Sequence, residues 1–567
     1  MRQHHGTRGE RGHSRRPSAD ELGWDDSLYG GGRPPGPRRG GHDDLAEQDD
    51  AGRPPGRAAR RRQESERPSR RKKPKRRVWR WIVLTLSLLI LATAGAGYLY
   101  LQHLNGNLEK DPLNLGKHKL DKAAPNAAGQ TPLNILLLGS DSRNSKENVS
   151  LGGSKENRGT PPRADVQMLL HVAADRSSMT VISVPRDTLL TIPQCTDADT
   201  GKVYPETKAK INTSLQHGGP GCTVATWESL TGIPIDHFMM IDFAGVVDMA
   251  DAVGGVPVCV DANVYDSKSG LRLKEGTTTI KGKQALQWLR TRHGFDDGTD
   301  IARSRAQHQY MSSMVRQLKA GTKLTDPGKL RSLAEAATKA LTVDNGLGSV
   351  TKLFDLAKDL KQVPTDRITM VTMPWKYYGA HQEYVVPTPE ADKIFSLIRQ
   401  DVALDGKDKE EKKKSSPPPS DLAAPKSEIA VSVLNGTGTI NQPAVSGRAG
   451  HLTQQLVAQG FTQATTDATP KSQADTSLSF ADPDQRGDAL AVAKALGIPE
   501  KLVEHSSAVQ GITLVVGADW RQGDTYPAAA QDPAKQKEER DKAVEASDVV
   551  RGGNKGACMH VNPENVW

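Results

Sequence analysis

A stretch of apolar residues without a single charge, from Trp81 to Leu101, sets the architecture of this chain. At about 1.5 Å of rise per residue, a helix over this stretch is about 30 Å long, which matches the hydrocarbon core of a bilayer. A cleaved signal peptide is the alternative, but the stretch is long for a signal sequence and begins far from the N-terminus. We therefore predict one transmembrane helix over residues 81–101.

Basic residues crowd one side of this helix. Lysines and arginines occupy positions 70–73, 75–77 and 80, directly before the apolar stretch. Because positively charged flanks stay on the cytoplasmic side of a membrane, the N-terminus is predicted to be cytoplasmic. The predicted localisation is the cell membrane, crossed once, with the bulk of the chain extracytoplasmic.

The first eighty residues are rich in Arg, Gly and Pro and poor in apolar residues. Such a segment cannot bury enough surface to offset its chain entropy, so residues 1–80 are predicted to be a disordered, basic cytoplasmic arm. The arm supplies much of the formal net charge of +9 over 567 residues. It lacks the aromatic interleaving typical of nucleic-acid-binding segments, so we predict no nucleic-acid partner. Its predicted partner is anionic membrane lipid.

The chain beyond the membrane divides by composition into five segments. A polar stalk, 102–130, precedes a long stretch, 131–402, in which short apolar runs alternate with helical patterns. A charged and Pro-rich linker, 403–427, leads to a smaller α/β module at 428–520. The Pro- and Lys-rich residues 521–567 are predicted to be mostly disordered.

The apolar runs of the long stretch predict its fold class. Short apolar runs are typical of strands, and the run that ends at Gly139 has the unbroken hydrophobicity of a strand covered on both faces. They lie at 134–139, 168–172, 179–184, 238–241, 256–260 and 368–373. Helical patterns separate them, so we predict a layered α/β (α+β) domain with a central mixed β-sheet flanked by helices, followed by a small C-terminal α/β domain.

All four cysteines lie beyond the predicted helix, at Cys195, Cys222, Cys259 and Cys558. An oxidising exterior favours disulfides, and no closely spaced pair indicates a zinc site. Four cysteines allow three pairings. Cys195 with Cys222 is favoured because these two bracket a single loop region, but the sequence leaves the pairing open.

Charged residues stand at the ends of three predicted strands. They form three Arg/Asp pairs: Asp141 with Arg143, Arg163 with Asp165, and Arg186 with Asp187. Ligands of α/β sheets bind at the carboxyl ends of the strands. Any one pair alone is more typical of a surface ion pair, but three pairs together indicate a site.

A later helical pattern places polar residues on an apolar face. At 100° per residue, Arg303 and Gln307 continue the face formed by Met311, Met314 and Leu318, whereas Arg305 points to the opposite side and is predicted to be solvated. A buried guanidinium requires an anionic partner, for which a ligand phosphate is one candidate.

Two further arginines, Arg290 and Arg292, end the preceding helical pattern. If the helix continues through them, Arg292 lies on its inner face with Ala285 and Leu289. If the chain is already extended, both arginines lie on one side. Arginines at a helix C-terminus that bind its last carbonyls are the structural alternative.

Several arginines with at least two carboxylates describe a site for phosphoryl transfer. Guanidinium groups bind diphosphate oxygens bidentately, and carboxylates suit Mg²⁺ bridging those oxygens. The sequence contains no Walker loop, no GxSxG motif and no HExxH motif, so nucleotide hydrolase, serine esterase and zinc protease functions have no support.

These residues, in this order, resemble the LytR-CpsA-Psr domain over about 131–402. The resemblance is carried by motifs that begin with the run from Asn134 to Arg143 and continue through Arg163-Ala-Asp165, Ser183-Val-Pro-Arg186-Asp187, Lys210-Ile-Asn212, Gly218-Gly219, Gly254-Gly255-Val256, Arg290-Thr-Arg292 and Asp300-Ile-Ala-Arg303. The small module, which opens with Val431-Ser-Val-Leu-Asn435-Gly436-Thr437, is similar to the LytR C-terminal domain. The composition suits an actinobacterial source.

The resemblance implies a phosphotransferase of cell wall biogenesis. It would move a glycopolymer phosphate from a polyprenyl-diphosphate carrier, held in a long apolar pocket, onto peptidoglycan. Asp141 and Asp165 would hold Mg²⁺ or Mn²⁺. The diphosphate would be bound by these residues: Arg143, Arg163, Arg186, Arg290 or Arg292, Arg303 and Gln307. Asp165 or Asp187 would take the acceptor proton, or the metal would lower its pKa.

The sequence departs from the family pattern in two places. Residues 144–159 lengthen the loop between the two carboxylates proposed to hold the metal. Ala306 stands before Gln307 where family members often carry Arg, which puts one phosphate contact in doubt. Two other functions remain open: a non-catalytic lipid-diphosphate-binding protein of the envelope, regulatory or scaffolding, and a polyprenyl diphosphate phosphatase.

Overall fold

A computed structural model describes residues 76–567 except 117–118, 121, 123–128, 143–145, 152–160, 322–326, 408–422, 439–442, 507–508, 528–532 and 555. Most of the predicted cytoplasmic arm and of the predicted linker therefore lies outside the described residues. The helices are α1 (Arg76–Asn107), α2 (Lys146–Ser150), α3 (Pro220–Thr231), α4 (Phe243–Ala252), α5 (Gly282–Arg290), α6 (Asp300–Gly321), α7 (Pro327–Ala340), α8 (Val350–Gln362), α9 (Pro389–Arg399), α10 (Arg448–Ala458), α11 (Arg486–Leu496) and α12 (Pro533–Glu545).

The strands follow the same chain order. They are β1 (Glu109–Asp111), β2 (Leu133–Ser140), β3 (Ala164–Val172), β4 (Met179–Ser183), β5 (Leu189–Ile192), β6 (Cys195–Thr196), β7 (Val203–Tyr204), β8 (Thr207–Lys210), β9 (His237–Ile241), β10 (Val256–Val260), β11 (Val264–Asp266), β12 (Leu271–Leu273), β13 (Gly276–Ile280), β14 (Leu341–Asp344), β15 (Ile368–Thr372), β16 (Trp375–Tyr378), β17 (His381–Pro387), β18 (Ala430–Asn435), β19 (Gln463–Asp467), β20 (Ser477–Phe480), β21 (Val503–His505), β22 (Ile512–Val516) and β23 (Val549–Arg551).

An eight-stranded mixed sheet organises the large domain, in the order β1-β14-β9-β2-β3-β4-β15-β23. β2 is parallel to β9 and antiparallel to β3, and β4 is antiparallel to β3 and parallel to β15. The carboxyl ends of β2, β4, β9 and β15 therefore meet at one edge, where β3 begins. Apolar clusters with helices cover both faces of this sheet, which confirms the predicted layered α/β class.

The apolar segment forms part of a helix that is longer than its predicted bounds. A candidate membrane span runs over Trp79–Asn107 with a mean hydropathy of 2.1, and its window is not buried against the rest of the protein. Its last turns nevertheless pack on the domain, because Leu104 is buried and Asn105 accepts a hydrogen bond from the Val350 N–H at 2.9 Å. The chain fits a single-pass membrane protein.

The stalk prediction is wrong for the described residues that directly follow this helix. β1 pairs in parallel with β14 at the edge of the large sheet, and Leu108 joins its core. β1 consists of three charged residues and has no hydrophobic alternation that would predict a strand. It is therefore stabilised by pairing with β14.

The predicted disorder of residues 521–567 is also wrong where the structure describes them. β23 completes the sheet beside β15, and α12 packs on α9. A disulfide joins Cys558 to Cys259, 299 residues away, and Met559 lies in the core formed by β10 and α6. The tail is polar by composition, and its order comes from these long-range contacts.

The second disulfide joins Cys195 to Cys222, with a Cα–Cα distance of 5.8 Å, which is the pairing favoured from the sequence.

The small domain is a five-stranded sheet, β19-β18-β22-β20-β21, with its own apolar core. Arg399 of α9 donates to Asp475 of this domain at 3.1 Å, so an ion pair links the two domains.

Candidate functional site

At the carboxyl edge of β2, Asp141 lies beside Arg163 of the second charged pair. The Asp141 N–H donates to the Arg163 carbonyl at 3.0 Å, and the Arg163 N–H donates to Asp141 Oδ1 at 2.6 Å. The strand register shifts between Gly139 and Ser140, where a Cβ on Gly139 would lie 2.8 Å from the Val166 Cβ. Glycine thus permits the close approach that places Asp141 beside the start of β3.

Arg186 contacts the carboxylates at two neighbouring strand ends. It follows β4, and its Nη1 lies 3.1 Å from Asp165 Oδ1 while its Nε lies 3.5 Å from Asp187 Oδ2. The side chains of Asp165 and Asp187 are 29% and 25% exposed, so both remain accessible to a ligand. Among the described residues, Arg186 thus joins the carboxylates at the start of β3 and after β4.

Two further residues contact this group of charged residues and belong to the family motif, but no role was predicted for them. Lys210 Nζ lies 2.8 Å from Asp187 Oδ1. Asn212 is buried, its N–H donates to the Arg186 carbonyl at 3.3 Å, and its Oδ1 has no hydrogen-bond partner among the described residues. Their motif, Lys210-Ile-Asn212, was the available signal.

The two arginines at the end of α5 match neither predicted arrangement, because Arg290 is the last helical residue and Arg292 lies in a bend after Thr291. The helix ends at Arg290, and Thr291 is extended and fully buried between Arg290 and Arg292. Arg290 Nη1 donates to the Leu151 carbonyl at 3.2 Å, and its guanidinium carbon lies 5.0 Å from the Phe243 ring centroid. Arg290 thus contacts the segment that follows α2, part of the loop between the two metal-candidate carboxylates.

Arg303 and Gln307 of α6 are buried as predicted, but Met311 and Met314, which were predicted to share their face, are only partly buried, and other sides of the helix are buried as well. Arg303 is 8% exposed and Gln307 5% exposed. Gln307 Nε2 donates to the Leu289 carbonyl at 3.3 Å, so this face of α6 lies against the end of α5. Gln307 therefore lies beside the end of α5, which carries Arg290 and is followed by Arg292, and Arg290 in turn contacts Leu151 after α2.

Arg305 is partly solvated, as predicted, but its guanidinium also forms ion pairs that the sequence did not predict. Its Nη2 lies 2.7 Å from Asp548 Oδ1 and its Nη1 lies 3.0 Å from Asp296 Oδ2, and the side chain is 43% exposed. The hydrogen bond to Asp548 raises the pKa of Arg305, and burial raises the pKa of Asp296. The helix phase was right, but the C-terminal tail covers the face to which Arg305 points.

Arg143 lies outside the described residues. A cleft of about 650 Å³ is lined by tail residues and by Arg305 and Gln309, and it does not include the carboxylates of the sheet edge. The apolar pocket for a polyprenyl chain thus stays a prediction.

The carboxylates suit a divalent cation only if a ligand completes its coordination. Within the described ranges no group of three or more His, Cys, Asp or Glu is placed to hold a metal. Mg²⁺ typically takes one or two carboxylates and fills its remaining positions with water and substrate phosphates. Asp141 accepts the Arg163 N–H, and Asp165 follows Arg163 by two residues, so these two could supply the carboxylates of such a donor set.

Two family models match the chain. The model described as "LytR_cpsA_psr family" matches residues 99–400, more than half of the chain. The model described as "LytR cell envelope-related transcriptional attenuator" matches residues 428–520.

Individual proteins are similar over most of these residues. The Corynebacterium glutamicum protein named cell wall biosynthesis protein LcpA is 29% identical over 486 residues, which cover 81% of this chain and 90% of that protein. A Bacillus cereus protein named polyisoprenyl-teichoic acid–peptidoglycan teichoic acid transferase TagU is 26% identical over 316 residues, covering 54% of this chain and 93% of that protein. A solved structure named LytR-Csp2A-Psr enzyme from Actinomyces oris has a TM-score of 0.38 at 21% identity and covers 51% of this chain and 95% of its own.

Proposed function

This chain belongs to the LytR-CpsA-Psr family, and we propose that it is a phosphotransferase that moves a glycopolymer phosphate from a polyprenyl-diphosphate carrier onto peptidoglycan. One observation carries the proposal: Asp165, Arg186, Asp187 and Lys210 form a continuous chain of opposite charges at the carboxyl edge of the sheet. This arrangement suits phosphoryl transfer, because the cationic side chains can bind phosphate oxygens and a carboxylate can accept the hydroxyl proton. The names of two relatives, a cell wall biosynthesis protein and a teichoic acid transferase, agree with this chemistry.

In the proposed reaction, a sugar hydroxyl of peptidoglycan attacks the glycopolymer-bound phosphorus. The bond from that phosphorus to the bridging oxygen breaks, and polyprenyl phosphate leaves. Arg186, with Arg163 and Arg303, would bind the diphosphate oxygens, because guanidinium groups match phosphate geometry. Asp165 or Asp187 would accept the hydroxyl proton.

Asp141 and Asp165 are the residues that would hold Mg²⁺ or Mn²⁺. The cation would supply neutralisation of charge on the diphosphate oxygens. Arg186 contacts the same Asp165 carboxylate at 3.1 Å, so this side chain keeps the carboxylate oriented toward the diphosphate position.

A transfer assay tests the proposed function. Full-length protein in detergent or vesicles is given a polyprenyl-diphosphate glycan and soluble peptidoglycan oligomers, and products are followed by mass spectrometry. We expect oligomers that have gained the mass of the glycan phosphate, together with polyprenyl phosphate. Glycan phosphate released into water alone would identify a phosphatase, and binding without either product would identify a non-catalytic lipid-binding protein.

The orientation in the membrane is part of the same proposal, because peptidoglycan lies outside the cell. Basic residues before Trp81 favour a cytoplasmic N-terminus. Reporter fusions after Gln130 and after Trp567 are expected to be active only with an extracytoplasmic reporter. A cytoplasmic signal at either position would contradict the cell-wall function, and a fusion at the N-terminus provides the opposite control.

A further inference from the structure

The hairpin formed by β16 and β17 exposes aromatic side chains beside the candidate site. Tyr378 is 42% exposed, and its ring lies nearly parallel to the His381 ring, with centroids 6.4 Å apart and an interplanar angle of 21°. Exposed aromatic rings grouped on one surface of a domain mark interaction sites, because their apolar faces gain by excluding water.

The neighbouring strand β8 adds cations to the same surface. Lys208 and Lys210 are two residues apart and therefore project from one face of the strand. Lys208 Nζ lies 5.2 Å from the Tyr378 ring centroid, and Lys210 Nζ lies 5.1 Å from the Tyr384 ring centroid. We call the surface formed by Lys208, Lys210, Tyr378, His381 and Tyr384 the aromatic ledge.

The aromatic ledge ends at Asp187. Lys210 bridges from the Tyr384 ring to Asp187 Oδ1, from which its Nζ lies 2.8 Å away. The Val385 N–H donates to the Asp187 carbonyl at 3.2 Å, so the backbone of the hairpin is joined to the site as well. A molecule lying along the ledge therefore reaches a carboxylate that is a candidate to accept a hydroxyl proton.

We propose that the aromatic ledge binds the glycan strand of the acceptor, an inference that rests on the proposed transfer reaction. The C–H faces of sugar rings pack on aromatic rings, and their hydroxyl and carboxylate oxygens accept hydrogen bonds from ammonium groups. Lys208 now lies over the Tyr378 ring, which shows that this ring is accessible to a polar group. A sugar ring would take that position, and the flexible lysine would move aside and donate to it.

The acceptor, and not the donor, is the occupant that this position favours. Arg186 lies between Asp165 and Asp187. Arg163, one of the residues proposed to bind the diphosphate, precedes Asp165 by two residues, whereas the ledge joins Asp187 through Lys210. A hydroxyl arriving from the ledge would approach the phosphorus from the side opposite the carrier.

The test measures binding without turnover. Soluble uncrosslinked peptidoglycan strands are titrated into wild-type protein and Tyr378→Ala in the absence of donor. We expect the Kd to rise about tenfold in Tyr378→Ala. Tyr265→Ala is the matched control, because Tyr265 lies on another two-stranded hairpin, β11–β12, and is 47% exposed. Its Kd should equal that of wild type.

Donor binding, measured with a soluble polyprenyl-diphosphate analogue, separates the possible outcomes. Three results would contradict the proposal: unchanged affinity of Tyr378→Ala for peptidoglycan strands, an equal loss of that affinity in Tyr265→Ala, or no binding of peptidoglycan strands by wild type. Loss of donor affinity alone in Tyr378→Ala would overturn it too, since the ledge would then serve the donor. If wild type binds strands in a Tyr378-dependent way but transfers nothing, the ledge stands and the proposed transfer reaction fails.

Discussion

Asp165→Asn is expected to lower the rate of glycan transfer by about a hundred- to a thousandfold, the loss typical when one electrostatic contact to a transition state is removed. The substitution keeps the shape of the side chain and removes its charge. That charge now orients Arg186 across 3.1 Å and is half of the pair that would hold Mg²⁺. Rates would be measured by release of polyprenyl phosphate and by product mass.

The matched control for this variant is Asp401→Asn. Asp401 also has a side-chain exposure of 29%, and its Oδ1 lies 3.0 Å from His171 Nε2. Its backbone φ of 57° lies in the left-handed region, which Asn tolerates well. Asp401→Asn should therefore fold and transfer as wild type does, and an equal loss there would mean that the assay reports general destabilisation.

Asp141→Asn separates the metal role from the Arg186 contact. Asp141 accepts the Arg163 N–H at 2.6 Å, and an Asn oxygen can keep that hydrogen bond. We expect a loss of activity comparable to that of Asp165→Asn, together with weaker Mn²⁺ binding by calorimetry in both variants. Full activity and undiminished Mn²⁺ binding in both would leave the metal assignment without support.

The second large effect concerns the two arginines of α6. Arg303→Ala is expected to weaken binding of a soluble polyprenyl-diphosphate analogue by roughly ten- to a hundredfold, because a hydrogen bond to a charged group contributes about 1.5–3 kcal/mol. Arg303 is 8% exposed on the face that packs against the end of α5. Arg303→Lys keeps the positive charge but not the planar guanidinium group, so it should bind the analogue with intermediate affinity. It also serves as a control for a folding defect in Arg303→Ala.

Arg305→Ala should behave differently, because the Arg305 guanidinium already forms an ion pair with Asp548 of the C-terminal tail. Asp548 and Asp296 lie at 2.7 and 3.0 Å. We expect ligand affinity within about twofold of wild type and a loss of stability of about 0.5–1 kcal/mol, the range for a half-exposed ion pair. Asp548→Ala should reproduce that loss in thermal unfolding. Equal losses of ligand affinity at Arg303 and Arg305 would mean that Arg305 supplies the phosphate contact missing at Ala306.

The apolar helix, the α/β class and the burial of Arg303 and Gln307 on α6 followed from the sequence, because each depends on a pattern of neighbouring residues. The charge-free stretch at 81–101, the apolar runs and the spacing of Arg303 and Gln307 depend only on residues close together in the chain. The same holds for the three charged pairs, since strand ends can be located from the runs that precede them. Their gathering at one edge then follows from the mixed sheet, because β2 and β4 end at the edge where antiparallel β3 begins.

The tertiary structure alone decided what depends on residues far apart in sequence. β23 is three residues long within a polar tail, and it forms a strand because β15 offers an open edge. The Cys259–Cys558 disulfide spans 299 residues, and Arg305 finds its partner 243 residues away at Asp548. No local pattern encodes such pairings, because their free energy exists only once both partners are held in place by the folded core.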